Sequence, residues 1–166
     1  MRYAFYPGCS ALGTSPELYK STIKVAKALD IQLDEMTDAS CCGTSALKNL
    51  DSPLADAINT RTLAMAEQKG LDILTICGTC QGVLCHVNKR LIDDADHLLA
   101  ANRAISDSGM QYNGTVKVKH LLWALIADYG MERLKEAKPD LIILDVMMRT
   151  SQEGFELSRE LKHNEE

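Results

Sequence analysis

The alternation of strand-like and helix-like segments is the feature that most constrains the fold of this chain. Strands are predicted at 2–6, 31–36, 71–76 and 116–118. Helices are predicted at 16–30, at 52–69, downstream of Cys80, through 95–105 and at 121–129, where apolar residues recur at helical spacing. Such alternation favours right-handed βαβ units, so we expect an α/β fold with a mainly parallel sheet and flanking helices.

The size and composition of the chain are those of a globular protein. Its 166 residues are enough for one domain with a continuous core, and the content of 46% hydrophobic and 25% charged residues excludes general disorder. The net charge of −5, without a basic stripe, argues against nucleic acid and against an acidic membrane surface as partners.

The sequence also predicts where the protein resides. The longest apolar run, at 141–148, is interrupted by Asp145 and is far shorter than the roughly 20 residues that cross a bilayer. The first residues lack an apolar stretch followed by a cleavage site, so we expect no membrane span and a cytoplasmic location. In that reducing compartment, the six cysteines are better explained as metal ligands or redox groups than as disulfides.

Five of the six cysteines directly follow predicted strands. They are Cys9, Cys41, Cys42, Cys77 and Cys80, with the spacing C-x31-C-C-x34-C-x2-C. Because the carboxyl ends of parallel strands meet at one edge of a sheet, we expect their sulfurs to converge. A group of convergent thiolates is a soft ligand set, as iron–sulfur clusters require.

Other interpretations of the cysteines remain open at this point. A zinc site uses four thiolates, a thioredoxin-like pair would use Cys77 and Cys80 alone, and each cysteine could be a small buried hydrophobic residue. Cys85 is predicted to be a half-buried helical thiol outside the site. The histidines at 86 and 97 are interpreted as solvated helix residues, and His120 as a packing residue at the start of a helix.

Three motifs resemble a known family. YPGCS at 6–10, CCG at 41–43 and CGTC at 77–80 are similar to the N-terminal cysteine-rich CCG domain in the B subunit of heterodisulfide reductase. The resemblance extends over about residues 2–137, so we predict a CCG-type domain at 1–137. The resemblance implies an oxidoreductase acting on disulfides, in which each of two CCG domains holds a non-cubane [4Fe-4S] cluster and the substrate is reduced between them.

The resemblance further implies which residues and partners are involved. Cys9, Cys41, Cys42, Cys77 and Cys80 would be the ligands of one iron–sulfur cluster. The module would transfer electrons to a thiol–disulfide substrate together with other iron–sulfur and flavin subunits of a heterodisulfide reductase-like complex. We find no second CCG motif in the sequence, so we expect the module to be incomplete alone. A non-catalytic single-cluster electron carrier and a structural zinc domain are the alternatives.

The segment 138–166 has a different character. It resembles a fragment of a response-regulator receiver domain, with Asp145 at the phosphoacceptor position. It covers about one strand and one helix and lacks the acidic pair, Thr/Ser and Lys of a working receiver. We therefore predict that it is not an independent domain, that it packs against the sheet, and that Asp145 is not phosphorylated, because the transfer requires a metal site.

Overall fold

The computed structural model describes residues 1–136. Asp145 and the predicted receiver-like segment lie outside the described residues. The chain divides into two units, Met1–Leu121 and Leu122–Glu166. The first unit contains all six cysteines.

A parallel sheet organises the first unit. Its four strands are β1 (Arg2–Tyr6), β2 (Gln32–Glu35), β3 (Ile73–Thr75) and β4 (Val118–His120). They lie in the order β2-β1-β3-β4, and every pairing is parallel. The chain leaves β1 toward one side of the sheet and returns to the other side as β3, so the strand order reverses between β1 and β3. The α/β prediction is confirmed.

Helices connect the strands, most of them where periodicity predicts them. They are α1 (Cys9–Leu12), α2 (Pro16–Ala28), α3 (Thr44–Leu50), α4 (Ser52–Gln68), α5 (Gly78–Asp93) and α6 (Ala95–Ala104), with a 3₁₀ turn at Ser106–Ser108. Helices α1 and α3 are not predicted from the sequence, because four and seven residues are too few for an apolar stripe to be recognised. Strand β4 begins at the last residue of the predicted 116–118 strand.

The described part of the second unit is helical. It includes the end of α7 (Leu121–Trp123), a π-helical segment at Ala124–Gly130 and α8 (Met131–Glu136). The helix predicted at 121–129 is thus present, but from Ala124 onward it is a π-helix and not an α-helix. Apolar spacing over two turns does not distinguish the two geometries. Within residues 1–136, no helix is long and apolar enough to cross a membrane.

Alternate residues of β1 enter different cores, as the period of a strand requires. Ala4 and Tyr6 belong to the larger cluster, which includes Leu63 of α4 and Leu84 of α5. Phe5 belongs to a smaller cluster on α1 and α2. Both faces of the sheet are therefore covered by helices, which leaves the carboxyl edge of the strands as the place for a site.

A buried polar network fixes the chain between α6 and β4. The hydroxyl of Tyr112, which is 0% exposed, donates to Asn88 Oδ1 at 2.6 Å, and Asn88 Nδ2 donates to the carbonyl of Val116 at 2.8 Å. Asn102 accepts from the Tyr112 amide and donates to its carbonyl, both at 2.8 Å. Since these bonds satisfy buried groups, they hold the segment that leads into β4.

A buried carboxylate connects three helices of the larger core. Asp56 of α4 forms an ion pair with Arg90 of α5, and its Oδ2 lies 3.0 Å from Nε2 of His97 in α6. His97, which the sequence analysis places in solvent, is instead half-buried in this group. The Asp56–Arg90 ion pair holds α5, the helix that carries Cys80, against α4.

Candidate metal centre

Three loops at the carboxyl edge of the sheet carry the five cysteines that the sequence singles out. Cys9 follows β1 and begins α1, while Cys41 and Cys42 lie between β2 and α3. Cys77 is the N-cap of α5, and Cys80 lies in its first turn. Because β2, β1 and β3 are adjacent in the sheet, these loops meet at one place, beside the point where the strand order reverses.

The five sulfurs lie close together in two environments. Cys9 Sγ is 3.7 Å from Cys41 Sγ, and both residues are exposed; we call them the outer pair. Cys42 Sγ is 3.7 Å from Cys80 Sγ, and these residues are only 2% and 3% exposed. Cys77, which is half-buried, hydrogen-bonds with Cys80 and completes an inner trio with Cys42 and Cys80.

The backbone turn after Cys42 faces the sulfurs. Gly43 and Thr44 are consecutive left-handed residues, with φ of 78° and 55°. Gly43 donates its amide to Cys41 Sγ at 3.5 Å, and the Thr44 amide favours the thiolate of Cys42. A β-branched residue is rarely left-handed, so this turn stores strain of about 1–3 kcal/mol in order to hold its shape.

Gly8 places the first loop directly on the CGTC segment. Its φ is +81°, and a Cβ atom there would lie 3.0 Å from Cys80 Sγ and 3.4 Å from Cys77 Cβ. The backbone between β1 and Cys9 thus approaches the inner trio as closely as a glycine permits. A larger residue at position 8 would push against the Cys80 sulfur and adopt a left-handed φ that only glycine takes up readily.

Two of the three sulfurs of the inner trio favour the thiolate form. Hydrogen bonding with Cys80, helped by the first amides of α5, lowers the pKa of Cys77 to about 5. Hydrogen bonding with Cys80 likewise lowers the pKa of Cys42 to about 6. The pKa of Cys80 is raised, because its proton is shared with these two neighbours. Two thiolates around one thiol are a ligand set that a cation stabilises.

Two residues that the sequence analysis did not assign to the site contact or influence it. Tyr6, 4% exposed, donates its hydroxyl to the carbonyl of Ser40 at 2.7 Å, next to Cys41. Burial, followed by the charges of Cys80 and Cys42, raises the pKa of Tyr6, so its phenol remains a neutral donor. His120 is buried at the end of β4, directly before the first residue of α7, as the sequence predicts for a packing residue at a helix start, and its charge contributes to the low pKa of Cys77.

Cys85 and His86 lie apart from the five cysteines described above. Cys85 is half-buried on α5, and its sulfur lies 3.5 Å from the carbonyl oxygen of Val118, as expected for a helical thiol outside the site. Nε2 of His86 is 3.1 Å from Lys48 Nζ at an exposed position. Burial and the Lys48 charge lower the pKa of His86.

The donor set matches the chemistry of an iron–sulfur cluster. Five sulfurs from three loops form a soft ligand set, and hydrogen bonds from Cys80, from the Thr44 amide and from the first amides of α5 lower the pKa of Cys42 and Cys77. In the described residues, no three His, Cys, Asp or Glu side chains are arranged around a point that one metal ion could occupy. The match therefore rests on the type and number of donors, and their assignment as ligands remains a prediction.

Comparisons with known proteins identify relatives of the same kind. Residues 3–85, half of the chain, match the family model described as a cysteine-rich CCG domain. A protein of Archaeoglobus profundus that is described as like the B subunit of heterodisulfide reductase is 30% identical over 82% of this chain and 46% of its own length. The 8-methylmenaquinol:fumarate reductase membrane anchor subunit of Wolinella succinogenes is 37% identical over 82% of this chain and 48% of its own length.

A third relative extends the comparison. The B subunit of the ferredoxin:CoB-CoM heterodisulfide reductase of Methanosarcina mazei is 28% identical over 81% of this chain and 45% of its own length. The chain thus spans less than half the length of the curated relatives named here. The resemblance of 138–166 to a receiver domain gains no support from these matches. With its three cysteine motifs inside or at the matched residues, the chain belongs to the CCG cysteine-rich domain family and is homologous to the B subunit of heterodisulfide reductase.

Proposed function

We propose that this chain is an iron–sulfur redox module in which Cys9, Cys41, Cys42, Cys77 and Cys80 hold one cluster. The observation that carries the proposal is the convergence of these five sulfurs from three loops at the carboxyl edge of one sheet. Membership of the CCG family and homology to the B subunit of heterodisulfide reductase support it. The cluster type we propose is the non-cubane [4Fe-4S] form, on the resemblance stated above.

The protein's own residues have distinct tasks in this proposal. The inner trio anchors the cluster on its buried side, and the outer pair completes the ligand set on the exposed side. The amides of Gly43 and Thr44 stabilise sulfur charge, and Tyr6 holds the loop that carries Cys41 and Cys42. The bound cluster would supply one-electron transfer.

The substrate we propose is a disulfide, which takes up two electrons and two protons and leaves as two thiols. Relatives are named as subunits of heterodisulfide reductase and fumarate reductase, so we propose that this module acts within a complex that contains other iron–sulfur and flavin subunits. We propose residues 1–137 as the CCG unit and the cytoplasm as the compartment, where thiols stay reduced.

Metal analysis of the full chain tests the proposal. We expect protein purified or reconstituted anaerobically to contain iron and acid-labile sulfide, and its reduced form to give an electron paramagnetic resonance signal. Cys42→Ser and Cys77→Ser should lose most of the iron, whereas the matched control Cys85→Ser should retain it. Zinc without sulfide would instead support the structural zinc domain, and a cluster that accepts electrons but does not reduce disulfides with its partner subunits would support the electron carrier.

A further inference from the structure

The outer pair differs from every other close cysteine pair in the described chain by its exposure. Cys9 and Cys41 lie with their sulfurs 3.7 Å apart and are both exposed, whereas Cys42 and Cys80 have the same separation but are buried. A cleft of about 100 Å³ opens beside the outer pair, with Cys9, Cys41 and Leu12 in its lining. A cavity of about 10–15 Å³ in the same measure already holds one water molecule, so a small oxidant fits this cleft.

The positions of the outer pair allow the two sulfurs to bond. The sulfurs are 3.7 Å apart and a disulfide has an S–S distance of about 2.05 Å, so bond formation requires them to approach by about 1.7 Å. Cys9 follows a left-handed glycine at the start of a four-residue helix, and Cys41 lies outside regular structure. Neither side chain is therefore held inside a long helix or a strand.

We propose that, in the cluster-free chain, Cys9 and Cys41 are a specific oxidation site that forms a disulfide with peroxides. One sulfur attacks the peroxide, its O–O bond breaks, the thiol proton passes to the leaving oxygen, and a sulfenic acid forms as water or an alcohol leaves. The second sulfur attacks the sulfenic sulfur, an S–S bond forms, the S–O bond breaks, and the second thiol proton leaves with the hydroxyl as water. The two electrons lost by the sulfurs reduce the peroxide.

The disulfide would control cluster assembly, a consequence that rests on the proposed function. Bonded to each other, Cys9 and Cys41 can no longer act as thiolate ligands, so two of the five donors are withdrawn while the inner trio remains. Reduction by a dithiol would restore both donors. Assembly of the cluster would thus depend on the thiol redox state at the protein surface.

The site is tested on the full-length, metal-free chain, prepared anaerobically with a chelator. After one equivalent of hydrogen peroxide, we expect the intact mass to fall by two hydrogen atoms and a non-reducing peptide map to join the peptides that contain Cys9 and Cys41. Cys9→Ser and Cys41→Ser should abolish this product, and Cys85→Ser should leave it unchanged. A map that joins any other pair, or sulfinic acid without a cross-link, would overturn the proposal; the wild-type map needs no variant to fold.

A second measurement separates this proposal from the proposed function. Oxidised and reduced metal-free protein are given ferrous iron and sulfide, with and without a dithiol. We expect the oxidised protein to bind iron only after the dithiol is added. Equal iron uptake by both forms would overturn control of assembly. A reduced protein that binds no iron would contradict the proposed function, while the mapped disulfide would still establish the oxidation site.

Discussion

At the scale of single residues, the strained turn after Cys42 determines where two sulfurs point. We predict that Gly43→Ala destabilises the metal-free chain by about 1–3 kcal/mol, because a Cβ atom would lie 2.7 Å from the Leu47 side chain and the alanine would be left-handed. Urea unfolding measures this, and iron content should fall with it. Gly70→Ala is the matched control, since φ is +64° there but nothing lies within 4 Å, so a loss of equal size would contradict the steric explanation.

Tyr6 acts on the same loop through a hydrogen bond. We predict that Tyr6→Phe lowers the iron and sulfide retained per chain and costs about 1–3 kcal/mol of stability, because the Ser40 carbonyl loses its phenol donor. Anaerobic metal analysis and urea unfolding measure the two effects. Tyr19→Phe, which removes the hydrogen bond to Glu35 Oε2 at 2.6 Å, should leave the iron content unchanged. Equal iron retention in both variants would show that Tyr6 does not position the cysteine loop.

The sequence predicts the cysteines of the site but not the residues that support them. Each of the five cysteines lies in the connection that follows a strand or in the first turn of the next helix, and the loop order then follows from parallel topology. Tyr6 and His120 lie in strands, where local periodicity shows only that they are buried or at a strand end. Both side chains act on the site because loops distant in sequence pack beside them. The residue spacing within a single segment does not predict such contacts.

At the scale of elements, Glu67 near the end of α4 binds the segment that precedes β4 through hydrogen bonds. Both carboxylate oxygens of Glu67 accept hydrogen bonds from Asn113 and Thr115, at 2.6 to 3.0 Å. Burial alone would raise the pKa of Glu67, but these four hydrogen bonds outweigh it, and the pKa lies below its usual value of 4.5. The interaction therefore requires the ionised carboxylate.

The pH dependence of the free energy of unfolding follows from the lowered pKa of Glu67. Because the folded-state pKa of Glu67 is lowered, its contribution to stability is complete above the unfolded pKa and is lost as the pH falls through the folded pKa. We predict that Glu67→Gln is less stable than the wild type at neutral pH by about 1–2 kcal/mol, and that the difference shrinks in acid. Urea unfolding from pH 7 to pH 3 measures it. A difference that does not change with pH would contradict a role for the charge.

The strands and long helices are predictable because their patterns are local, and the short elements are not. The periodicity of α4 and α5 extends over several turns, whereas α3 begins at a left-handed Thr44 that gives no helix-start signal. The π-helical winding at Ala124–Gly130 has the same apolar spacing as an α-helix over two turns. Only hydrogen-bond partners distinguish the two.

At the scale of the whole molecule, the stability of the fold should depend on whether a cluster is bound. Thiolates crowded without a cation repel one another or take up protons, so we predict that a bound cluster raises the free energy of unfolding by several kcal/mol, on the order seen for structural metal sites. Anaerobic thermal unfolding with and without the cluster measures this. Hydrogen exchange should quicken at 37–43 and 77–81 in the cluster-free chain, while the amides of β1 keep their protection. Identical melting curves would indicate that the cysteines are ordinary core residues.

The strand order also has a consequence for biosynthesis. β1 is made first, yet its neighbour β3 begins at Ile73, and the last two sulfurs follow it. A growing chain that has left the ribosome only as far as α3 carries three of the five donors and one open edge of β1, which is exposed to aggregation. We therefore expect the ligand set to be completed only after β3 and the two cysteines beyond it have been made, when β1 also gains its second neighbour.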